Sequence, residues 1–259
     1  MKYQMILLDL DGTLLNSDNI VSPITANVLE ICRQKGYYIG FITARSRSKK
    51  NIRLLDGLPC DFIAFYNGAE IYANNHLLES NVLSYKKTKM MLQELNNDFP
   101  GMIFDIHQEP WNFSSVCGDI FHMESGDRRV CNISNLPECN IQRIRLEAES
   151  LMFIPLQKYM TSESTFYHST FADVIIVHKN ANKEHAVKKA SDFFDIPLSK
   201  MIAFGDDIND IDMLKIVGIG VAMGKAIPSL KKIANYVTET NDNNGIATWI
   251  YKHLITLGK

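Results

Sequence analysis

The chain has no surplus of positive charge: 27 Lys and Arg stand against 29 Asp and Glu, a formal net charge of −2. A polyanion needs a cationic track to lie along, so nucleic acid is excluded as a primary partner. Long apolar runs are missing too. Near the N-terminus the run Met5 to Leu8 is cut by Asp9 after four residues, too short for a signal peptide or a membrane span, so no membrane association is expected. Cysteine is sparse: Cys32, Cys60, Cys117, Cys131 and Cys139 are odd in number and form no Cys-x-x-Cys. They read as reduced thiols, which places the protein in a cytoplasm. Repeats, low-complexity tracts and long Pro/Gly/Ser linkers are absent as well, so any hinge between domains must be short.

What is present is ordinary globular composition, 46% hydrophobic and 22% charged over 259 residues. That length fits one large domain or a core carrying a second, smaller one. Short apolar runs at Met5 to Leu8, Tyr38 to Ile42 and Phe62 to Phe65 alternate with helical spacing. Between the first two, Ile24, Val28, Leu29, Ile31 and Cys32 share one helical face, started by Ser22-Pro23 and stopped by Gly36. The alternation returns late in the chain: helix over Ala186 to Phe194, strand over Met201 to Phe204, helix over Asp210 to Val217, strand over Ile219 to Ala222. It predicts a doubly wound parallel sheet with helices on both faces. The middle differs. One amphipathic helix, Tyr85 to Leu95, is followed by strand-like pieces at Met102 to Ile106, Ile141 to Glu147 and Val174 to His178. Clustered strands with few crossover helices predict an inserted α+β domain.

Chemistry gathers at the strand ends. Asp9-Leu10-Asp11-Gly12-Thr13 follows the first strand, and residues two apart in extended chain project to the same side, so two carboxylates share one strand end. In open parallel sheets ligands bind beyond the carboxyl ends of the strands. Asp and Gly are also common in turns. The turn reading weakens because Asp206-Asp207-Ile208-Asn209-Asp210 follows another buried strand. Converging carboxylates raise one another's pKa unless a cation neutralises them, and Mg²⁺ suits a site that leaves positions for water and phosphate. Neither acidic segment has the spacing of a calcium-binding EF-hand loop. Thr43-Ala44-Arg45 closes the second strand and offers a hydroxyl and backbone N–H groups suited to a phosphate oxygen. Lys183 opens a predicted helix, where the helix dipole disfavours a cation; an ordinary surface lysine is the alternative. Nucleophile, proton carrier, hydroxyl, ammonium and metal site are the parts of phosphoryl transfer.

Taken in order, Asp9-Leu10-Asp11-Gly12-Thr13, Thr43, Lys183 and Gly205-Asp206-Asp207-Ile208-Asn209-Asp210 resemble the four motifs of the haloacid dehalogenase-like superfamily. Asn67-Gly68-Ala69, Gly220-Val221-Ala222-Met223-Gly224 and Asn244-Gly245-Ile246-Ala247 resemble its Cof-type branch (subfamily IIB). The resemblance implies a Rossmann-like doubly wound core over 1–82 and 180–259 with an α+β cap domain inserted over 83–179. It further implies a Mg²⁺-dependent phosphatase of small phosphorylated metabolites, such as sugar phosphates or cofactor-like phosphates. In such an enzyme Asp9 attacks phosphorus to form an aspartyl-phosphate, while Asp11 protonates the leaving oxygen and then activates water. The metal would be held by Asp9, Asp206 and the Asp11 backbone carbonyl, whose carboxyl stays free for proton transfer, with Asp210 supporting the shell. The backbone of Leu10 and Ala44, with Thr43, Lys183 and Asn209, would hold phosphate oxygens.

Ala44, Glu184 and Lys225 depart from the family pattern. Ala44 is expected to be harmless and Glu184 to serve the helix dipole, while the consequence of Lys225 is open. In the insertion, which would close over the core site and choose the leaving group, Trp111, Phe113, Cys117, Asp119 and His122 are candidates for substrate contact or for cap packing. Two alternatives stand beside the phosphatase. A phosphohexomutase would need a cationic site for a second phosphate, for which Arg128, Arg129, Arg143 and Arg145 are candidates or simply a solvated face. A non-catalytic phosphometabolite-binding protein would need neither Asp9 nor Asp11. A monomer or small homo-oligomer is expected.

Overall fold

A computed structural model describes residues 2–108, 112–116, 128–147, 156–168 and 173–256. In chain order the elements begin with β1 (Met5–Leu8), α1 (Pro23–Gln34), β2 (Tyr38–Ile42), α2 (Lys49–Arg53), β3 (Phe62–Phe65), β4 (Glu70–Ala73) and β5 (His76–Ser80). There follow α3 (Tyr85–Asp98), β6 (Phe104–His107), β7 (Asn112–Ser114), β8 (Arg128–Val130), β9 (Arg143–Leu146), β10 (Ser164–His168) and β11 (Val174–His178). The last stretch holds α4 (Lys183–Phe194), β12 (Met201–Gly205), α5 (Ile211–Ile216), β13 (Ile219–Ala222), α6 (Pro228–Ile233), β14 (Tyr236–Val237) and α7 (Gly245–Ile250). Two compact units result, Met1–Ser80 with Asn182–Lys259, and Asn81–Ala181. Their junctions lie at Ser80/Asn81 and Ala181/Asn182.

In the first unit eight strands form one sheet in the order β14-β13-β12-β1-β2-β3-β4-β5. From β14 to β3 every pairing is parallel, and β1 lies at the centre, Met5 opposite Met201 on one side and Tyr38 on the other. Strands buried on both faces must be apolar throughout, and all four residues of β1 are fully buried. Helix α1 packs with α7, while α4 packs with α5 and α5 with α6, giving the two helical layers of a doubly wound α/β domain. Ser22 caps α1, its side chain accepting from Thr25 N, and Pro23 stands in the first turn. Val28, Leu29 and Cys32 of that helix are buried, but Ile24 is 54% exposed, so the apolar face is narrower than its spacing predicts. The antiparallel hairpin β4–β5 extends the sheet, and no strand is predicted there. Its turn residues Asn74 (φ 49°) and Asn75 (φ 64°) are both left-handed, the geometry that matches the twist of a two-residue hairpin.

The second unit has its own sheet, in the order β10-β11-β9-β6-β7-β8, antiparallel except for the β7–β8 pair. Alternate residues of these strands face opposite ways. Phe104, Ile106, Ile144, Leu146, Val174 and Ile176 form an apolar cluster with Met91, Leu92 and Leu95 of α3. The other face carries Asp105 opposite Arg145 and His107 opposite Arg143. Far from being a solvated face, Asp105, His107 and Arg145 are buried, and Arg145 Nη2 donates to Asp173 Oδ2 at 2.6 Å. Arg129 is exposed. Phe113 is 6% exposed within the apolar cluster, which makes it a packing residue. Trp111, Cys117, Asp119 and His122 lie outside the described residues.

Candidate active site

Three parallel strands deliver the site at their carboxyl ends. Asp9 leaves β1 with its N–H still donating to the Phe204 carbonyl of β12 (3.2 Å), Thr43 leaves β2 with its N–H on the Ala64 carbonyl of β3 (2.9 Å), and Asp206 follows β12. Lys183 is the first residue of α4, whose N-cap Asn182 accepts from His185 N. It is no surface lysine: it is 1% exposed, and its Nζ donates to Asp9 Oδ1 and Asp210 Oδ1 at 2.5 Å each. The other oxygen of Asp210 accepts from the N–H groups of Asp206 (2.9 Å) and Asp207 (3.1 Å). Asp210 therefore ties the loop after β12 to Lys183. Thr13 Oγ1 donates to Asp206 Oδ1 at 3.0 Å, linking the first acidic segment to the last.

Asp9 and Asp11 share a strand end, but their carboxylates go to different partners. Beyond Asp9 the chain is no longer extended: Thr13 N and Leu15 N donate to the Leu10 carbonyl, Leu14 N donates to that of Asp9, and Gly12 sits at φ 73°. Glycine is required there, because a Cβ would lie 2.2 Å from Asp206 Oδ2. Asp9 turns inward at 5% exposure. Asp11 turns outward, its side chain 54% exposed, into a two-pronged ion pair with Arg45, Nε to Oδ2 at 2.8 Å and Nη2 to Oδ1 at 2.5 Å. The guanidinium is itself anchored by Asn19 Oδ1 (2.9 Å) and Asn51 Oδ1 (3.1 Å). The carboxyl expected to be free is thus held by Arg45.

The electrostatics follow from the burial. Three carboxylates, Asp9, Asp206 and Asp210, face one ammonium. Burial raises the Asp9 pKa well above the carboxylate range, and the charges of Asp210 and Asp206 add to this against the opposing pull of Lys183. Burial and the charge of Asp210 push Asp206 up to about 6. Lys183 shows the converse: burial alone would lower its pKa, but the charges of Asp210 and Asp9 outweigh that and raise it. One oxygen from each of Asp9, Asp206 and Asp210 lies within 4.8 Å of the others. An all-oxygen donor set with more negative charge than Lys183 offsets fits a hard divalent cation, which would favour the ionised forms of Asp9 and Asp206.

The structure thus brings Asp9, Asp206, Asp210 and Lys183 into contact, with buried Thr43 at the neighbouring strand end. Leu10 is buried in the turn, Ala44 half-buried. Asn209 is exposed, and its Nδ2 donates to Asn67 Oδ1 at 3.2 Å. Arg45, Thr13 and Asn67 join the site without a role assigned from sequence. Glu184 pairs with Lys188 one turn on (2.6 Å). Lys225 pairs with Asp242 (2.6 Å), which accepts from Ser17 N and Oγ (2.8 and 2.9 Å), so its ion pair clasps the loop that follows Asp11.

Comparison with known proteins bears on what this arrangement is. A Bacillus subtilis protein, 5-amino-6-(5-phospho-D-ribitylamino)uracil phosphatase, is 26% identical over 97% of this chain and 98% of its own. A haloacid dehalogenase-like hydrolase from Bacteroides thetaiotaomicron superposes with a TM-score of 0.81 at 24% identity, covering 97% of this chain and 99% of that one. A haloacid dehalogenase subclass IIB sugar phosphatase shares the fold with a TM-score of 0.79 at 20% identity, over 96% and 98% of the two chains. The sequence pattern of the haloacid dehalogenase-like hydrolases matches residues 6–250, and the chain belongs to that family.

Proposed function

We propose that the chain is a Mg²⁺-dependent phosphatase acting on small phosphorylated metabolites through an aspartyl-phosphate on Asp9. The observation that carries this reading is the buried Lys183 ammonium shared by Asp9 and Asp210, beside an Asp206 carboxylate that forms no ion pair among the described residues. Such a site carries more negative charge than Lys183 offsets until a metal ion arrives. Asp9 and Asp206, with the Asp11 carbonyl, would hold the ion and Asp210 would brace them; when bound, Mg²⁺ supplies charge neutralisation at the nucleophile and the phosphoryl oxygens. Lys183 offsets charge at the attacking carboxylate. Thr43, Asn209 and the Leu10 and Ala44 backbone bind phosphate oxygens. Asp11, outside the buried cluster and held by Arg45, carries the proton to the leaving oxygen and then takes one from water.

The inserted unit selects the leaving group. Its buried, ion-paired Arg145 lends nothing to a mutase. A reducing cytoplasm suits the thiols: Cys32, Cys60, Cys131 and Cys139 are free, and burial pushes Cys60 up to about 12. No helix among the described residues is long and apolar enough to cross a membrane. The test is a phosphate-ester panel with purified protein, including p-nitrophenyl phosphate, sugar phosphates and the phosphoribityl ester of the Bacillus relative. Turnover is expected with Mg²⁺, lost on chelation and lost in Asp9→Asn, while phosphate still binds that variant. Equal turnover without metal, or full activity in Asp9→Asn, would refute the mechanism.

A further inference from the structure

Between β3 and β4 three consecutive residues adopt left-handed backbone: Tyr66 (φ 50°), Asn67 (φ 59°) and Gly68 (φ 115°). Glycine takes this conformation freely and asparagine tolerates it; a bulky tyrosine does so only when its surroundings impose it. The surroundings are the phosphate-holding segments. Tyr66 N donates to the Arg45 carbonyl (2.9 Å) and Asn67 N to the Thr43 carbonyl (2.7 Å), which clips the corner onto the turn that presents the Thr43 hydroxyl. Asn67 Oδ1 accepts from Asn209 Nδ2 at 3.2 Å. At Gly68 a Cβ would stand 3.0 Å from the Asn182 carbonyl, so the corner lies flush against the start of the helix that presents Lys183. One three-residue corner touches the segments carrying Thr43, Asn209 and Lys183.

We infer that Asn67 is a positioning residue for the phosphate-binding groups, its backbone N–H fixing Thr43 and its side-chain oxygen orienting the Asn209 amide. Asn67 is 8% exposed whereas Asn209 is exposed, so Asn67 acts through its neighbour rather than by meeting the phosphate. With one Nδ2 hydrogen committed to Asn67, the other has a defined direction in which to bind a phosphoryl oxygen. If the corner served the backbone alone, glycine would meet the need at position 67 at lower conformational cost; it would lack the acceptor. This inference rests on the phosphatase reading and on the phosphate-binding role of Asn209.

The experiment is a double-mutant cycle in the full chain with Asn67→Gly, Asn209→Ala and the pair, reading the inhibition constant of inorganic phosphate, KM and kcat for p-nitrophenyl phosphate, and Tm. Asn67→Gly is expected to weaken phosphate and raise KM about three- to tenfold, the size of one oriented hydrogen bond. Its Tm should not fall, since glycine relieves the left-handed backbone. In the Asn209→Ala background the same substitution should have no further effect on either constant, because the group it orients is gone. Equal losses in both backgrounds would overturn the assignment, as would an Asn67→Gly protein with wild-type phosphate affinity or an Asn209→Ala protein with undiminished affinity. Should Asn67→Gly not fold, Asn67→Ala removes the same acceptor and is read by the same cycle. A wild-type chain that hydrolyses no phosphate ester would instead overturn the phosphatase reading itself, an outcome visible before any variant is made.

Discussion

Replacing Arg45 by methionine keeps an unbranched stem as far as the position of Nε and removes the fork that holds Asp11. The structure sets the scale of two effects. The Arg45 side chain is 13% exposed and that of Asp11 54%, so the ion pair is half in water and its loss should cost about 1 kcal/mol of stability or less. The catalytic cost should be larger, because Arg45 fixes both oxygens of Asp11 while being fixed by Asn19 and Asn51. A proton carrier displaced by an ångström loses roughly ten- to a hundredfold in rate where protonation matters. An alkyl phosphate needs its leaving oxygen protonated, whereas p-nitrophenol departs well as an anion. The assay is therefore kcat/KM, which reports the steps up to formation of the phosphoenzyme, for both esters in wild type and Arg45→Met. The alkyl ester should lose about ten- to a hundredfold, and the nitrophenyl ester far less. Equal losses on the two would mean that Arg45 serves phosphate binding instead, and the positioning argument would be wrong.

Two further outcomes follow from the geometry. Under the proposed mechanism Asp11→Asn leaves the nucleophile Asp9 in place but removes the group that activates water, so rapid quench with a labelled aryl phosphate should find label accumulating on the protein; no accumulation while slow turnover persists would contradict the proposed division of labour. In the second unit, burial first and then the charge of Arg143 lower the His107 pKa from its ordinary 6.5 to about 4, against the opposing pull of the Asp105 carboxylate. The unfolded chain then binds this proton more readily, so its contribution to stability is complete above pH 6.5 and is lost as pH falls toward 4, by on the order of 3 kcal/mol. Urea unfolding of wild type and His107→Asn between pH 7 and 4 should show the wild type losing more; parallel curves would refute it.

The parallel strands were legible because a strand buried on both faces has to be a short continuous apolar run, and β1, β2, β3 and β13 lie where such runs predict them. The acidic segments were legible because Asp9 and Asp11 follow the run of β1, and Asp206 and Asp210 follow the run of β12. The hairpin β4–β5 was not, since its turn is Asn74-Asn75 rather than a glycine-bearing pair and β5 is an exposed edge strand with little apolar pattern. The Asp11–Arg45 pair was hidden for another reason. The argument that residues two apart share a side holds only while the chain is extended, and here the turn at Gly12 sends the second carboxylate to a partner 34 residues away. Asn67 was visible as part of a motif, but its use depends on a hydrogen bond spanning 142 residues, which no local pattern encodes.

Lys183 is where local preference and function conflict most plainly. A cation at the first position of a helix opposes the helix dipole, and burying an ammonium with two carboxylates incurs a desolvation cost that their attraction at best balances. Apolar residues of similar volume would serve the fold at least as well. The carboxylates bring their own penalty, since burial moves both Asp9 and Asp206 toward protonation at neutral pH. A group of charges that the fold would be better without, set at the carboxyl ends of its central strands, has its explanation in what it binds. Under the proposed mechanism a divalent cation turns the excess of carboxylate into a coordination site, and a phosphoryl group gives the ammonium a third anion beside Asp9 and Asp210. On this account the resting cluster is under electrostatic tension by construction, and the metal relieves it and makes room for the charge of the substrate.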